Sequence, residues 1–163
     1  MPRTVIGVMG GSKATPAVAK MAERLGELIA ERGWVLLNGG RDCGVMAASA
    51  RGAKKVPGAI VIGILPDKST AKASTDLDIA VRTGMGDARN VINVLSSDVV
   101  IACPGSVGTM SEIVLALKND KPVVLLGYEN VPVGLEKFQR RGQLMFAADP
   151  EEAVTRAAAL LRQ

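Results

Sequence analysis

Histidine is absent from this chain of 163 residues. That removes Ser–His and Cys–His nucleophile systems, and it removes the imidazole ligands most metal sites use. Cysteine is scarce: Cys43 and Cys103 stand alone, without the partners of a metal site. Aromatic residues make up 2% of the chain: Trp34, Tyr128, Phe138 and Phe146. A single-strand binding groove needs stacking rings beside its cations, so nucleic acid is not the expected partner. No apolar run approaches the roughly 20 residues of a membrane helix. The N-terminus enters a strand pattern directly, without an h-region or cleavage site. Together with two unpaired thiols, this points to a cytoplasmic protein with no membrane partner. Two phosphate motifs are also missing. The turn Gly7-x-x-Gly10-Gly11-Ser12 lacks the G-x-G-x-x-G spacing, and no stretch fits G-x-x-x-x-G-K-[ST]. Triphosphate hydrolysis therefore has no support.

What is present is a globular composition, 48% hydrophobic and 22% charged, with 18 glycines and a net charge of +4. The size fits one domain with a sizeable core, spanning residues 1–163. The modest positive charge suits an anionic small ligand. Strand and helix patterns alternate. Strands are predicted over 4–9, 34–37, 59–65, 79–81, 99–102 and 122–126, the last of these being the last clear one. Helices are predicted from Thr15-Pro16 to Gly33, over 45–55, 87–96 and 109–118, and from Asp149-Pro150 to about Leu161. Thr15 and Asp149 each precede a proline, the N-cap then N1 pattern. The polar stretch 66–78 is the long loop, a type that often serves as a lid. Strands apolar throughout belong to a parallel sheet covered on both faces. The expected fold is α/β, a Rossmann-like, doubly wound, mostly parallel sheet with helices on both faces.

Ligands in such sheets sit at the C-terminal strand ends, near the reversal in strand order. Three glycine-rich turns fall there: Gly10-Gly11-Ser12, Asn38-Gly39-Gly40 and Gly105-Ser106-Val107-Gly108. Any one of them is explained by tight turning alone, but three at one sheet edge point to a ligand. Gly105 to Thr109 would offer backbone N–H groups at a helix N-terminus, with hydroxyls from Ser106 and Thr109, a geometry that binds phosphate. Thr109-x-x-Glu112 also fits a capping box, Thr at N-cap and Glu at N3. Arg89 falls early in a predicted helix, where the dipole disfavours a cation. It therefore calls for an anionic partner, either a ligand or a surface carboxylate such as Asp87 or Asp98.

The stretch "PGSVGTMSE", residues 104–112, resembles the PGGxGTxxE signature of the Lonely Guy (LOG) family, formerly described as lysine decarboxylases, within the SLOG superfamily. "NGGRDCGVMAASARGA", residues 38–53, and "TGMGDARN", residues 83–90, are similar to that family's second glycine turn and its arginine segment. The resemblance runs from Val5 to Leu126. It is strongest to a branch related to DNA-processing protein A and to molybdenum cofactor carrier proteins. LOG enzymes cleave cytokinin riboside 5′-monophosphates to a free base and ribose 5-phosphate. The resemblance implies that Arg89 and Glu112 are catalytic, and that Gly105, Gly108 and Thr109 hold phosphate. Ser106 stands where the signature has its second Gly, and Asn90 where LOG enzymes have Lys. Two functional readings follow. One is a nucleoside 5′-monophosphate phosphoribohydrolase. The other is a carrier or sensor, without turnover, of a nucleotide or the molybdenum cofactor. Neither requires a resident cofactor; the bound group would be the nucleotide or the molybdopterin-type ligand itself. The family pattern also implies a homodimer or higher oligomer, with helices 87–96 and 109–118 supplying an apolar face.

Overall fold

A computed structural model describes residues 2–162. Seven strands form one sheet: β1 (Val5–Met9), β2 (Val35–Asn38), β3 (Val61–Leu65), β4 (Ile79–Arg82), β5 (Val99–Ala102), β6 (Val123–Leu126) and β7 (Leu144–Ala147). Their order is β4-β3-β2-β1-β5-β6-β7, and every pairing is parallel. The order reverses between β1 and β5, where Ile6 aligns with Val99 and Met9 with Ala102. Helices cross between strands, α1 (Pro16–Glu31), α2 (Gly44–Ala53), α3 (Asn90–Leu95), α4 (Val107–Lys118) and α5 (Glu136–Arg140), and α6 (Pro150–Leu160) follows β7. A 3-10 turn, Gly86–Arg89, leads into α3. No described helix is long and apolar enough to cross a membrane.

Strand periodicity sorts the core into two layers. Ile6, Val8, Val99 and Ile101 pack toward α1, α2 and α6, through Leu25, Ile29, Val45 and Val154. Met9, Leu37, Val100 and Ala102 pack the other way, toward α3 and α4, through Val94, Ile113 and Leu117. This explains the unbroken apolar runs of β1, β2, β5 and β6, which are covered on both faces, whereas the edge strand β4 is largely exposed. The two proline caps form as expected. Thr15 Oγ1 accepts from Val18 N at 3.3 Å, and Asp149 Oδ1 accepts from Glu152 N at 2.7 Å.

The structure corrects the sequence reading at several boundaries. β7 adds a strand beyond Leu126, hidden in the sequence because "LMFA" is short and follows a charged segment. The predicted helix 87–96 is divided, with the 3-10 turn ending at Arg89. Trp34, Ala59 and Pro122 lie just outside their strands. The 66–78 loop is fastened rather than free-standing. Ser74 N donates to Gly40 O at 2.9 Å, and Asp42 N donates to Lys72 O at 3.0 Å.

α1 and α2 approach closely because glycines face each other's backbone. A Cβ on Gly26 would strike the Ser49 carbonyl oxygen, and one on Gly52 would strike the Glu23 carbonyl oxygen. At an exposed helix position Gly→Ala gains up to about 1 kcal/mol from propensity. At Gly52 the backbone collision reverses that sign. Gly52→Ala is expected to cost about 1–3 kcal/mol, the range for overpacking, and to lower the melting temperature by roughly 2–4 °C per kcal/mol. A melting curve that rises instead would show that the helix pair has slack.

Candidate functional site

Three turns meet where the strand order reverses. Met9 O accepts from Cys103 N at 2.8 Å, extending the β1–β5 pairing past Ala102. Gly11 N then donates to Pro104 O at 3.3 Å, and Gly11 O accepts from Val45 N at 3.0 Å. The turn after β1 is thus tied to the turn after β5 and to the start of α2. A side chain at Gly10 would strike Val45, and one at Gly11 would press on Lys13 O and on Gly105 Cα. The second turn is braced from within. Asn38, fully buried, accepts from Gly40 N at 2.8 Å and donates to Met46 O and Ser49 Oγ at 3.0 and 3.1 Å.

One cleft opens over this junction. Gly10, Gly11, Ser12, Gly39, Arg89, Ser106, Gly108, Thr109 and Glu112 line it together. Gly40 does not line it, and Gly105 lines the adjoining cavity with Gly11, Ser12 and Ser106. Gly40 has φ +76° and turns the chain against Leu65 and Gly63. Gly105 sits beneath the Thr109 side chain and beside Gly11 N. Motif spacing marked both turns but could not say which glycine faces the cleft. Arg41, Asp87 and Asn90 also line it. Arg41 was legible only as a cation directly after the second turn.

The capping box does not form. α4 starts at Val107 with Ser106 at N-cap (φ −102°, ψ −159°), so Thr109 is N3 and Glu112 lies one turn further in. The Ser106 side chain makes no capping bond. The first N–H groups of α4 have no intrahelical acceptor, and they open toward the cleft beside the Ser106 and Thr109 hydroxyls. Glu112 is instead 7% exposed, and its Oε1 accepts from Asn93 Nδ2 at 2.7 Å. Burial pushes its pKa up to about 7, against the pull of the Asn93 hydrogen bond and of the Arg89 charge.

Arg89 is half-buried, with Nε and Nη1 inaccessible to water and without a partner among the described residues. The surface ion pair weighed for it is not made. Asp98 Oδ2 accepts from Val5 N at 2.8 Å instead, and Asp87 makes no ion pair among the described residues. Burial depresses the Arg89 pKa, and Glu112 only partly offsets this. The guanidinium lies against Gly39, where a Cβ would collide with it. Arg41, by contrast, is neutralised by a two-pronged pair with Asp67, at 3.2 and 3.1 Å. The cleft therefore combines one unpaired guanidinium, an open helix N-terminus, several hydroxyls and a carboxyl of raised pKa. That set has the chemistry to attract an anion and to give or take one proton.

The chain is similar to known proteins over most of its length. A family model described as the SLOG cluster4 family matches residues 3–154. A molybdenum cofactor binding protein from the phototrophic bacterium Rippkaea orientalis has a similar structure, with TM-score 0.90 and 49% identity, covering 99% of both chains. The molybdenum cofactor carrier protein of Chlamydomonas reinhardtii gives TM-score 0.88 and 41% identity, over 99% of this chain and 100% of that one. A cytokinin riboside 5′-monophosphate phosphoribohydrolase from Mycobacterium tuberculosis is 30% identical over 131 residues, 76% of this chain and 70% of that protein.

The raised pKa of Glu112 sets a pH dependence of stability. The folded protein holds this proton up to about pH 7, whereas the unfolded chain releases it near the ordinary carboxyl value of 4.5. Between those values the folded state binds more protons, so stability falls as pH rises. The loss is about 3 kcal/mol at most, complete above pH 7 and absent below 4.5. Glu112→Gln should flatten this part of the profile and leave the variant more stable than wild type at pH 8. Denaturant titrations at pH 4.5, 6 and 8 check it; equal pH slopes for the two proteins would contradict the burial argument.

Proposed function

The chain belongs to the SLOG cluster4 family, and on that premise we propose that it carries a phosphorylated small molecule of the molybdenum cofactor type, without turnover. One observation carries this reading. Arg89 holds an uncompensated, desolvated positive charge in the same cleft as the open N-terminus of α4. Burying a cation without a partner costs several kcal/mol unless an anion completes it. A phosphate on the α4 turn within reach of Arg89 supplies that completion. The ligand's remaining polar groups would face Glu112, Asn90 and the hydroxyls of Ser12 and Thr109. The two cofactor-binding proteins share 49% and 41% of residues with this chain over nearly its whole length, which favours that cargo.

A second reading is phosphoribohydrolase activity on a nucleoside 5′-monophosphate. Glu112 and Arg89 favour it, as does the Mycobacterium tuberculosis relative. In that reaction positive charge develops on the ribose, and a nearby carboxylate stabilises the transition state more than the ground state. The cleft holds Glu112 near neutrality rather than fully ionised at pH 7. A half-ionised carboxyl changes a rate only about twofold, and the carrier reading ranks first on the likeness to the two cofactor-binding proteins. The same proposal includes self-association through α3 and α4, whose Leu95 and Val114 are 49% and 36% exposed.

Two measurements decide between the readings. Protein purified from cells that make the cofactor should release a phosphorylated pterin on denaturation, identified by mass spectrometry. Arg89→Ala should retain at least about tenfold less, since a charge-assisted hydrogen bond contributes about 1.5–3 kcal/mol. Wild type should liberate no free base from purine or pyrimidine 5′-monophosphates over hours, as followed by chromatography. Base release that drops about 10²-fold in Glu112→Gln would instead establish the hydrolase reading.

A further inference from the structure

α3 presents two asparagines to α4, spaced three residues apart on one face. Asn90 Nδ2 donates to Ser111 Oγ at 2.9 Å, and Ser111 Oγ in turn donates to Gly108 O at 2.7 Å. Asn93 is fully buried, and its Nδ2 donates to Glu112 Oε1 at 2.7 Å. Its own backbone carbonyl accepts from Ser97 Oγ at 2.8 Å. Yet its side-chain oxygen, Oδ1, has no partner among the described residues. A buried amide with one end satisfied and one end bare is costly, and such a group calls for an explanation.

The neighbour supplies one. A carboxylate needs a donor, whereas a protonated carboxyl needs an acceptor. A primary amide carries both at nearly equal positions and exchanges them by a half-turn about its last bond. The geometry points to Asn93 as a positioning residue that holds the Glu112 side chain in one place in both of its charge states, donating through Nδ2 to the carboxylate and accepting through Oδ1 from the carboxyl. The unpartnered oxygen in the charged state is then the acceptor kept for the other state. Arg89 is the charged group that acts on the Glu112 carboxyl, while Asp87 and Arg41 line the same cleft. α3 faces that carboxyl with neutral amides only, so the cleft can accept or release one proton without the α3–α4 contact rearranging. The inference rests on the reading of Glu112 as a ligand-facing group, but its test needs no ligand.

The test is the titration of the Glu112 side-chain carboxyl by ¹³C NMR in protein labelled at glutamate, with its resonance assigned by its absence in Glu112→Gln. Wild type should titrate near neutrality. Asn93→Leu removes the charge-assisted bond to the carboxylate together with the weaker bond from the carboxyl, and should raise the midpoint by about 1 pH unit, the difference between the two. Asn90→Leu breaks only the Ser111 contact and should leave the midpoint in place. Should Asn93→Leu fail to fold, Asn93→Ser, too short to reach Glu112, takes its place with the same expected shift. A midpoint unchanged in the Asn93 variant overturns the proposal, as does one that moves equally in Asn90→Leu. Loss of the carrier reading alone would appear as an empty protein with this titration intact, so the two failures are distinguishable.

Discussion

The structure depends on the contact between two backbone turns, Gly11 N to Pro104 O, at the point where the strand order reverses. Outward from β1 and β5 the chain winds in opposite directions, so the crossovers diverge and leave a gap above these two strand ends. Gly10, Gly11 and Gly105 let the turns close beneath that gap, since a Cβ on them would meet Val45, Lys13 O and Thr109 respectively. The bonds from Cys103 N to Met9 O and from Val45 N to Gly11 O then fix the starts of α2 and the β5–α4 turn relative to the sheet. The N-terminal end of α4 owes its place to this stitching and not to any capping of its own. Ser106 leaves the cap unmade, and an open helix terminus is stable here because the turn below it is held by its neighbours.

The second constraint is electrostatic. Arg89 and Glu112 carry opposite charges in one cleft, yet no ion pair joins them among the described residues, and burial dominates the titration of both. Had they met, the pair would have filled the site and neutralised it. Held apart, they leave a cation that lacks an anion and a carboxyl close to its titration point. The cation favours a bound phosphorylated ligand, and a carboxyl that can keep its proton need not repel it. The Arg41–Asp67 pair shows the opposite arrangement at the rim, where a cation is already satisfied and helps fasten the 66–78 loop.

Carrier and glycosidase differ little at this level of construction. Both need a phosphate turn, a cation and a shaped pocket, and a shared fold hosts either. What separates them is whether a carboxylate is ionised where positive charge would develop. A buried Glu112 with one hydrogen-bond donor and an unpaired Arg89 nearby is poised between its two charge states and not committed to one.

The sequence by itself determined the parallel α/β sheet, since unbroken apolar runs between helical patterns admit few other arrangements. It determined that the three glycine turns share one edge, because right-handed crossovers place every strand end on the same side. It also determined the caps at Thr15 and Asp149, which are local interactions within four residues. Only the tertiary structure decided the rest. Glu112 could be a capping residue by its spacing from Thr109; that it lies a turn deeper, bonded to Asn93, depends on where the β5 turn releases the chain. Asn93 itself carried no signal, because a buried amide on a short helix reads as an ordinary polar residue until its partner 19 positions away is in place. Arg89 could pair with Asp87 or Asp98 by sequence distance. Packing against Gly39 and the use of Asp98 by Val5 N leave it free. The physical reason is common to all three: a charge's partner is set by contacts between elements far apart in the chain, and those distances exist only once the sheet has assembled.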